Sequence, residues 1–186
     1  MILVIDCGNT NTVFALYSHQ KKINQLGCWR INNDSKRTAD MYYPWFLQML
    51  SLSNFKPNDI IGISIASVVP ETLFNIKSFI KKYFNIPSLV VGEEGMNLGL
   101  KVNIDNPKEA GADRLVNSYA AEKLGFSPAI IIDFGTATTF DVVGEDGSYN
   151  GGIIAPGINL SLEALYMAAA RLPRVSLKAL SKKNPL

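Results

Sequence analysis

The sequence predicts an α/β fold made of two related halves. Aliphatic and β-branched runs alternate with helix-length segments along the chain, which is the pattern of strands and helices packed in layers. The segment Asp6-Cys-Gly-Asn-Thr-Asn-Thr12 returns as Asp133-Phe-Gly-Thr-Ala-Thr-Thr139, with Asp, Gly and the final Thr at the same offsets after an aliphatic run. A chain of 186 residues that is 47% hydrophobic has apolar surface enough for one ordinary core or two small ones. The repeat predicts two halves facing one another across a cleft, here divided as residues 1–105 and 106–186.

Ile2 to Ile5, Val13 to Tyr17 and Ile23 to Ile31 are apolar, β-branched runs bounded by Gly, Asn and Lys, and predict an antiparallel meander. Thr38 to Leu52 predicts a helix whose apolar face is Met41, Trp45, Leu47, Met49 and Leu50. A strand over Ile60 to Val68 follows, then a helix from Pro70, well suited to a first turn, to about Phe84. Ser88 to Val91 is a short strand. Asn106 and Pro107 signal the start of a third helix that runs towards Leu124 and stops at Gly125. The pattern then restarts with strands at Ala129 to Ile132, Thr138 to Val143 and Tyr149 to Ala155, a turn at Glu145 to Gly147, and a helix from about Asn159 to Ala170. The second copy has fewer elements than the first, and Leu172 to Leu186 has no clean period. Both features lead us to expect a chain shorter than its natural length, a disordered natural tail being the alternative.

Lys and Arg total 18 against 16 Asp and Glu, a net charge of +2, which lacks the basic footprint of a nucleic-acid binder. No apolar run approaches the roughly 20 residues that cross a bilayer, so no membrane anchor is expected. Cys7 and Cys28 have no CxxC spacing and His19 is the only histidine, which disfavours a zinc site or a disulfide framework and fits a reducing cytoplasm. Trp29, Trp45, Tyr42 and Tyr43 are expected to pack, and His19 to be exposed.

A strand leading into Asp-x-Gly-x-x-x-Thr offers a carboxylate for magnesium or its water shell, a glycine that lets backbone N–H groups approach phosphate, and hydroxyl donors. Asp and Gly after a strand are also ordinary turn residues, so the chemical reading rests on the two matched copies. Gly8 to Thr12 has no Gly-Lys-Ser/Thr ending, which argues against a P-loop kinase, and no G-x-G-x-x-G opens a helix, which makes a dinucleotide oxidoreductase a poor alternative. Gly111-Ala-Asp-Arg114 sets a carboxylate and a cation side by side; it reads either as a solvated helix turn or as a base and an anion contact for a kinase substrate. Gly151-Gly-Ile-Ile-Ala-Pro-Gly157 reads equally as two tight turns or as a loop that approaches a ligand.

Taken together, DCGNTNT at 6–12, RTAD at 37–40, NPKEAGADR at 106–114, DFGTATT at 133–139, GGIIAPG at 151–157 and LPRV at 172–175 resemble type III pantothenate kinases, in the order that family has them. The resemblance implies the actin-like ATPase superfamily, with duplicated ribonuclease H-like domains around a nucleotide cleft. It implies transfer of the ATP γ-phosphate to pantothenate, at the start of coenzyme A synthesis, with Mg2+, a monovalent cation (K+ or NH4+) and a homodimer. By that resemblance Asp6, Cys7, Gly8, Asn9, Thr10, Asn11, Thr12 and Val13 form a nucleotide-binding segment and Thr136 contacts ATP. Gly111, Ala112, Asp113 and Arg114 line the pantothenate site, Asp113 takes the substrate proton, and Asp133 holds the monovalent cation. Three departures stand out: Ile104 replaces a Tyr common in the family, Met41 follows RTAD where an acid is common, and the chain stops before the family's Gly-Lys-Asn-Thr segment. The rival readings are a non-catalytic regulatory protein on the same scaffold and a kinase for another hydroxylated acid or sugar; retention of Asp6, Asp113 and Asp133 favours an enzyme.

Overall fold

A computed structural model describes residues 1–20, 23–93 and 95–168. The end of the expected fourth helix at residues 169–170, the LPRV motif and the rest of the 172–186 segment lie outside the described residues. The chain forms two compact units, one of Met1–Ile131 with Asp141–Gly151, the other of Ile132–Phe140 with the residues from Gly152 onward.

In the first unit, strands β1 (Ile2–Cys7), β2 (Asn11–Tyr17) and β3 (Gln25–Asn32) form the expected antiparallel meander. Helix α1 (Ala39–Leu52) then carries the chain across to β4 (Gly62–Ser67), which lies parallel to β1, and α2 (Pro70–Tyr83) leads to β5 (Ser88–Val90), parallel to β4. The sheet order is β3-β2-β1-β4-β5, so β1 is central and its loop opens at the carboxyl end of two parallel strands. Strand alternation buries Leu3, Ile5 and Cys7 completely. Against that face α1 places Tyr42, Phe46 and Leu50, one helical turn apart, and α2 places Thr72, Ile76, Phe79 and Ile80. Aromatic rings dominate the join: Phe14 lies 5.1 Å from Trp45 and 5.2 Å from Phe46 between ring centroids.

Three expectations change. The buried line of α1 is Tyr42-Phe46-Leu50, not one that includes Met41, which is 54% exposed: a period of four from Tyr42 faces the sheet. Ile23 stands outside β3 and is exposed, and pairing begins at Gln25 after a register shift at Leu16 and Tyr17. The third helix does not start at Pro107. Residues Pro107–Glu109 form a single tight turn, Ala110 and Gly111 are extended, and α3 runs Ala112–Lys123. Asn106 and Pro107 begin this turn, and the helix proper takes Gly111 as its N-cap.

The second sheet has the order β6 (Ala129–Phe134), β7 (Ala137–Val143), β8 (Tyr149–Pro156), followed by α4 (Ile158–Ala168). These match the restart expected from the repeat, each strand extending slightly beyond its apolar run. Trp29, Trp45 and Tyr43 pack against the core and His19 is exposed, as expected.

Candidate active site

The first Asp-Gly-Thr segment is the β1–β2 turn. Asp6 is exposed at the end of β1, whereas Cys7 and Thr12, opposite one another in the ladder, are fully buried. Burial, helped by the neighbouring Asp6 charge, pushes the Cys7 thiol up to about 12, so this residue is an inert packing group whose accessible chemistry is its backbone. The turn closes through Gly8 N–H donating to the Asn11 carbonyl at 3.0 Å, which leaves Asn9 and Thr10 exposed at its tip. Asn11 and Val13 are half-buried.

Asn33, just beyond β3, anchors this turn. Its N–H donates to the Thr10 carbonyl at 2.8 Å, and its Oδ1 accepts from the Thr12 hydroxyl at 3.4 Å and from the Thr72 hydroxyl at 2.8 Å. The turn is thereby tied to the first turn of α2. No sequence signal distinguished Asn33 or Thr72 from surface polar residues.

The start of α3 reaches the same end of the sheet. Val68 N–H donates to the Cys7 carbonyl at 3.1 Å, and a Cβ on Gly111 would lie 3.6 Å from the Val68 side chain. Asp113, in the first helical turn, folds back so that its Oδ1 accepts from Arg114 N–H at 2.8 Å. A Cβ on Gly111 would come within 2.6 Å of that oxygen, so a side chain there displaces the Asp113 carboxylate. Ala112 is buried beneath it.

Arg114 is not a free surface cation. Its Nε donates to Asp141 Oδ1 at 2.6 Å and its Nη2 lies 2.6 Å from the same oxygen. The Arg114 side chain is only 13% exposed and Asp141 is fully buried. Tyr149 OH donates to that oxygen as well, at 3.1 Å, and the guanidinium sits 5.8 Å from the Tyr149 ring centre. Asp141 was legible only as an oddity, an acid inside the strand-like Thr-Phe-Asp-Val-Val run. An ionised group there requires a buried partner, and nothing in the sequence said which.

In the second unit, Asp133 and Thr136 are exposed. Gly135 N–H donates to the Ala137 carbonyl at 2.9 Å, a tighter turn than its counterpart at Gly8. Gly157 N–H donates to the Thr136 carbonyl at 3.1 Å, and the Gly157 carbonyl accepts from Ser161 N–H in the first turn of α4. A Cβ on Gly157 would overlap the Gly135 and Thr136 carbonyls, so the end of the glycine-rich segment is a close backbone approach to the second Asp-Gly-Thr turn. Among the described residues no three His, Cys, Asp or Glu side chains gather as a metal cage. Single carboxylates at strand ends suit an ion completed by phosphate oxygens and water.

A mixed sheet of order β3-β2-β1-β4-β5, with an Asp-Gly-Thr turn after its central strand and a second such turn after β6, places the chain in the actin-like ATPase fold class. A solved structure from Campylobacter jejuni, described as a Baf family transcriptional activator, shares this fold at a TM-score of 0.53 with 22% identity, over 97% of this chain and 68% of that one. The family model for type III pantothenate kinases matches residues 2–185, and the chain belongs to that family. A type III pantothenate kinase from Paramagnetospirillum magneticum is 54% identical over 177 residues, 95% of this chain and 67% of its own length. One from Rhodospirillum rubrum is 52% identical over 177 residues, 95% of this chain and 68% of its own. The chain thus spans about two thirds of the length of these relatives.

Proposed function

We infer that this chain carries out the reaction of its family, the ATP-dependent phosphorylation of pantothenate to 4'-phosphopantothenate that opens coenzyme A synthesis. The observation that carries this is 54% identity to a type III pantothenate kinase over 95% of the chain, joined to a first helical turn that presents Asp113 beside Gly111 and Arg114.

In this reading the backbone donors and hydroxyls of Gly8 to Thr12, with Thr136, hold ATP phosphates, and Asp6 holds the magnesium that accompanies them. Magnesium, when bound, offsets phosphate charge. Asp113 takes the proton of the primary hydroxyl of pantothenate as the hydroxyl oxygen bonds to the γ-phosphorus and the bond to the bridging oxygen of ADP breaks. Asp141 already balances the charge of Arg114, so Arg114 orients the substrate rather than attracting it from a distance. Asp133, exposed after β6, suits a monovalent cation, K+ or NH4+. We also propose a cytoplasmic homodimer. No helix among the described residues is long and apolar enough to cross a membrane.

The test is product detection by mass spectrometry with ATP, magnesium and pantothenate, in potassium, ammonium or sodium salts. Failure to form 4'-phosphopantothenate in any of them would overturn the reading. Asp113→Asn should lower the single-turnover rate by about 10² to 10⁴, the usual worth of a general base, while ATP affinity is spared. A wild-type rate in that variant removes Asp113 from the mechanism.

A further inference from the structure

Arg114, Asp141 and Tyr149 form a buried cluster in the first unit. Two hydrogen-bond donors converge on one oxygen of Asp141, Arg114 Nε at 2.6 Å and Tyr149 OH at 3.1 Å, and Arg114 Nη2 lies 2.6 Å from the same oxygen as an ion-pair contact. Asp141 is fully buried and Tyr149 is 1% exposed, so these contacts are shielded from water and exchange. Tyr149 also ties down a second segment through its backbone. Its N–H donates to the Lys101 carbonyl and its carbonyl accepts from Asn103 N–H, both at 2.8 Å, which pairs the stretch leading to Ile104 with β8. A Cβ on Gly151, two residues on, would lie 3.1 Å from Ile104 Cγ2. One cluster therefore fixes both the first turn of α3 and the 101–104 segment.

We propose that Asp141 and Tyr149 are positioning residues for the kinase reaction: they hold Arg114 in place, and through it the helical turn that carries Asp113. The proposal rests on the functional reading above. The coupling runs through Arg114, whose backbone N–H is bonded to the Asp113 carboxylate while its guanidinium is held by Asp141. Desolvation, followed by the Asp141 charge, pushes the Tyr149 phenol up to about 12, so Tyr149 remains a proton donor to Asp141 throughout the neutral range. Loss of the Asp141 charge leaves a largely buried guanidinium uncompensated, and loss of the Tyr149 hydroxyl removes one donor while the ring under Arg114 stays.

The experiment compares wild type, Asp141→Asn and Tyr149→Phe as full chains. It measures the KM for each substrate, kcat, melting temperature, and hydrogen exchange in peptides covering 111–118 and 8–14. We expect kcat/KM for pantothenate to fall about tenfold or more in Asp141→Asn and less in Tyr149→Phe. The KM for ATP should stay within about twofold, with faster exchange in 111–118 and unchanged exchange in 8–14. Wild-type pantothenate kinetics and wild-type exchange in both variants overturn the proposal. So do parallel losses for both substrates that track melting temperature, which is what a merely structural pair produces. If Asp141→Asn does not fold, Tyr149→Phe decides by the same readouts. A wild-type chain inactive on pantothenate sinks the functional reading instead, and the exchange comparison still decides whether the cluster holds the α3 turn.

Discussion

Gly111 shows how one missing carbon sets the chemistry of its neighbour. Its φ of −59° is open to any residue, so backbone strain does not select glycine here. What a side chain here would meet is Asp113, whose Oδ1 occupies the space a Cβ would enter. Gly111→Ala should therefore fold normally but push the carboxylate off its resting position. Displacing a reacting group by about 1 Å costs on the order of 100-fold, so we expect a rate loss of about 10- to 100-fold with a melting temperature near wild type. Steady-state kinetics beside thermal unfolding check this, and an unchanged rate would mean that the resting position of Asp113 is not the productive one. The same scale shows where sequence reading stops. Asp113 and Arg114 stood out as adjacent charges, yet Arg114 pairs with an aspartate 27 positions away, and only the fold brings those two together.

At the scale of elements, strands and helices were legible because their apolar periods are strong, and the errors fell where local signals compete. Asn106-Pro107 is a good cap and first turn, and the chain does turn there, but extended Ala110 and Gly111 delay the helix to Ala112. The face of α1 was legible at Trp45 and Leu50 but not at Tyr42 and Phe46, because nearly every residue of Met-Tyr-Tyr-Pro-Trp-Phe-Leu is apolar or aromatic and composition does not say which stripe meets the sheet. The two Asp-Gly-Thr turns were found because the sequence repeats; Asn33 and Thr72, which brace the first, belong to no pattern. The RTAD motif has a plain structural use at its last position. Asp40 Oδ1 accepts from Lys82 Nζ and from Tyr83 OH, each at 2.6 Å, and Tyr83 stacks on Tyr43 at 3.9 Å, which joins α1 to α2. The Lys82 and Tyr83 hydrogen bonds hold the Asp40 carboxyl below the usual carboxylate range. A lowered folded-state value contributes stability above the unfolded carboxylate range, about pH 4, and loses it as pH falls through the folded value. The melting-temperature gap between wild type and Asp40→Asn should accordingly be widest near neutral pH and close below about pH 4; a gap independent of pH would assign the difference to packing.

Across the whole molecule, burial is unevenly distributed between the two units, each taken by itself. The first holds a closed core in which Leu3, Ile5, Phe14, Phe46, Ile65, Ile76 and Phe79 have no exposed surface. In the second, Ile153 and Ile154 are 67% and 65% exposed, and α4 has no buried residue. Stability that depends on apolar area removed from water must then reside mainly in the first unit. Phe46 contacts Phe14, Trp29 and Phe79 at ring-centroid distances of 5.2, 5.9 and 6.1 Å, so truncation leaves a cavity that the rigid aromatic cluster cannot close. Phe46→Ala should destabilise the chain by about 3 to 5 kcal/mol, read as a lower urea midpoint at constant slope. Ile153→Ser removes surface already in water and should stay within about 0.5 kcal/mol. Hydrogen exchange supplies the same contrast without mutation: amides of β1, β2, β4, α1 and α2 should be the slowest and those of α4 among the fastest. If Ile153→Ser costs as much as Phe46→Ala, or α4 exchanges as slowly as β1, then Ile153 and α4 are covered in solution by a surface outside the described residues, and the uneven distribution of stability argued from burial is wrong.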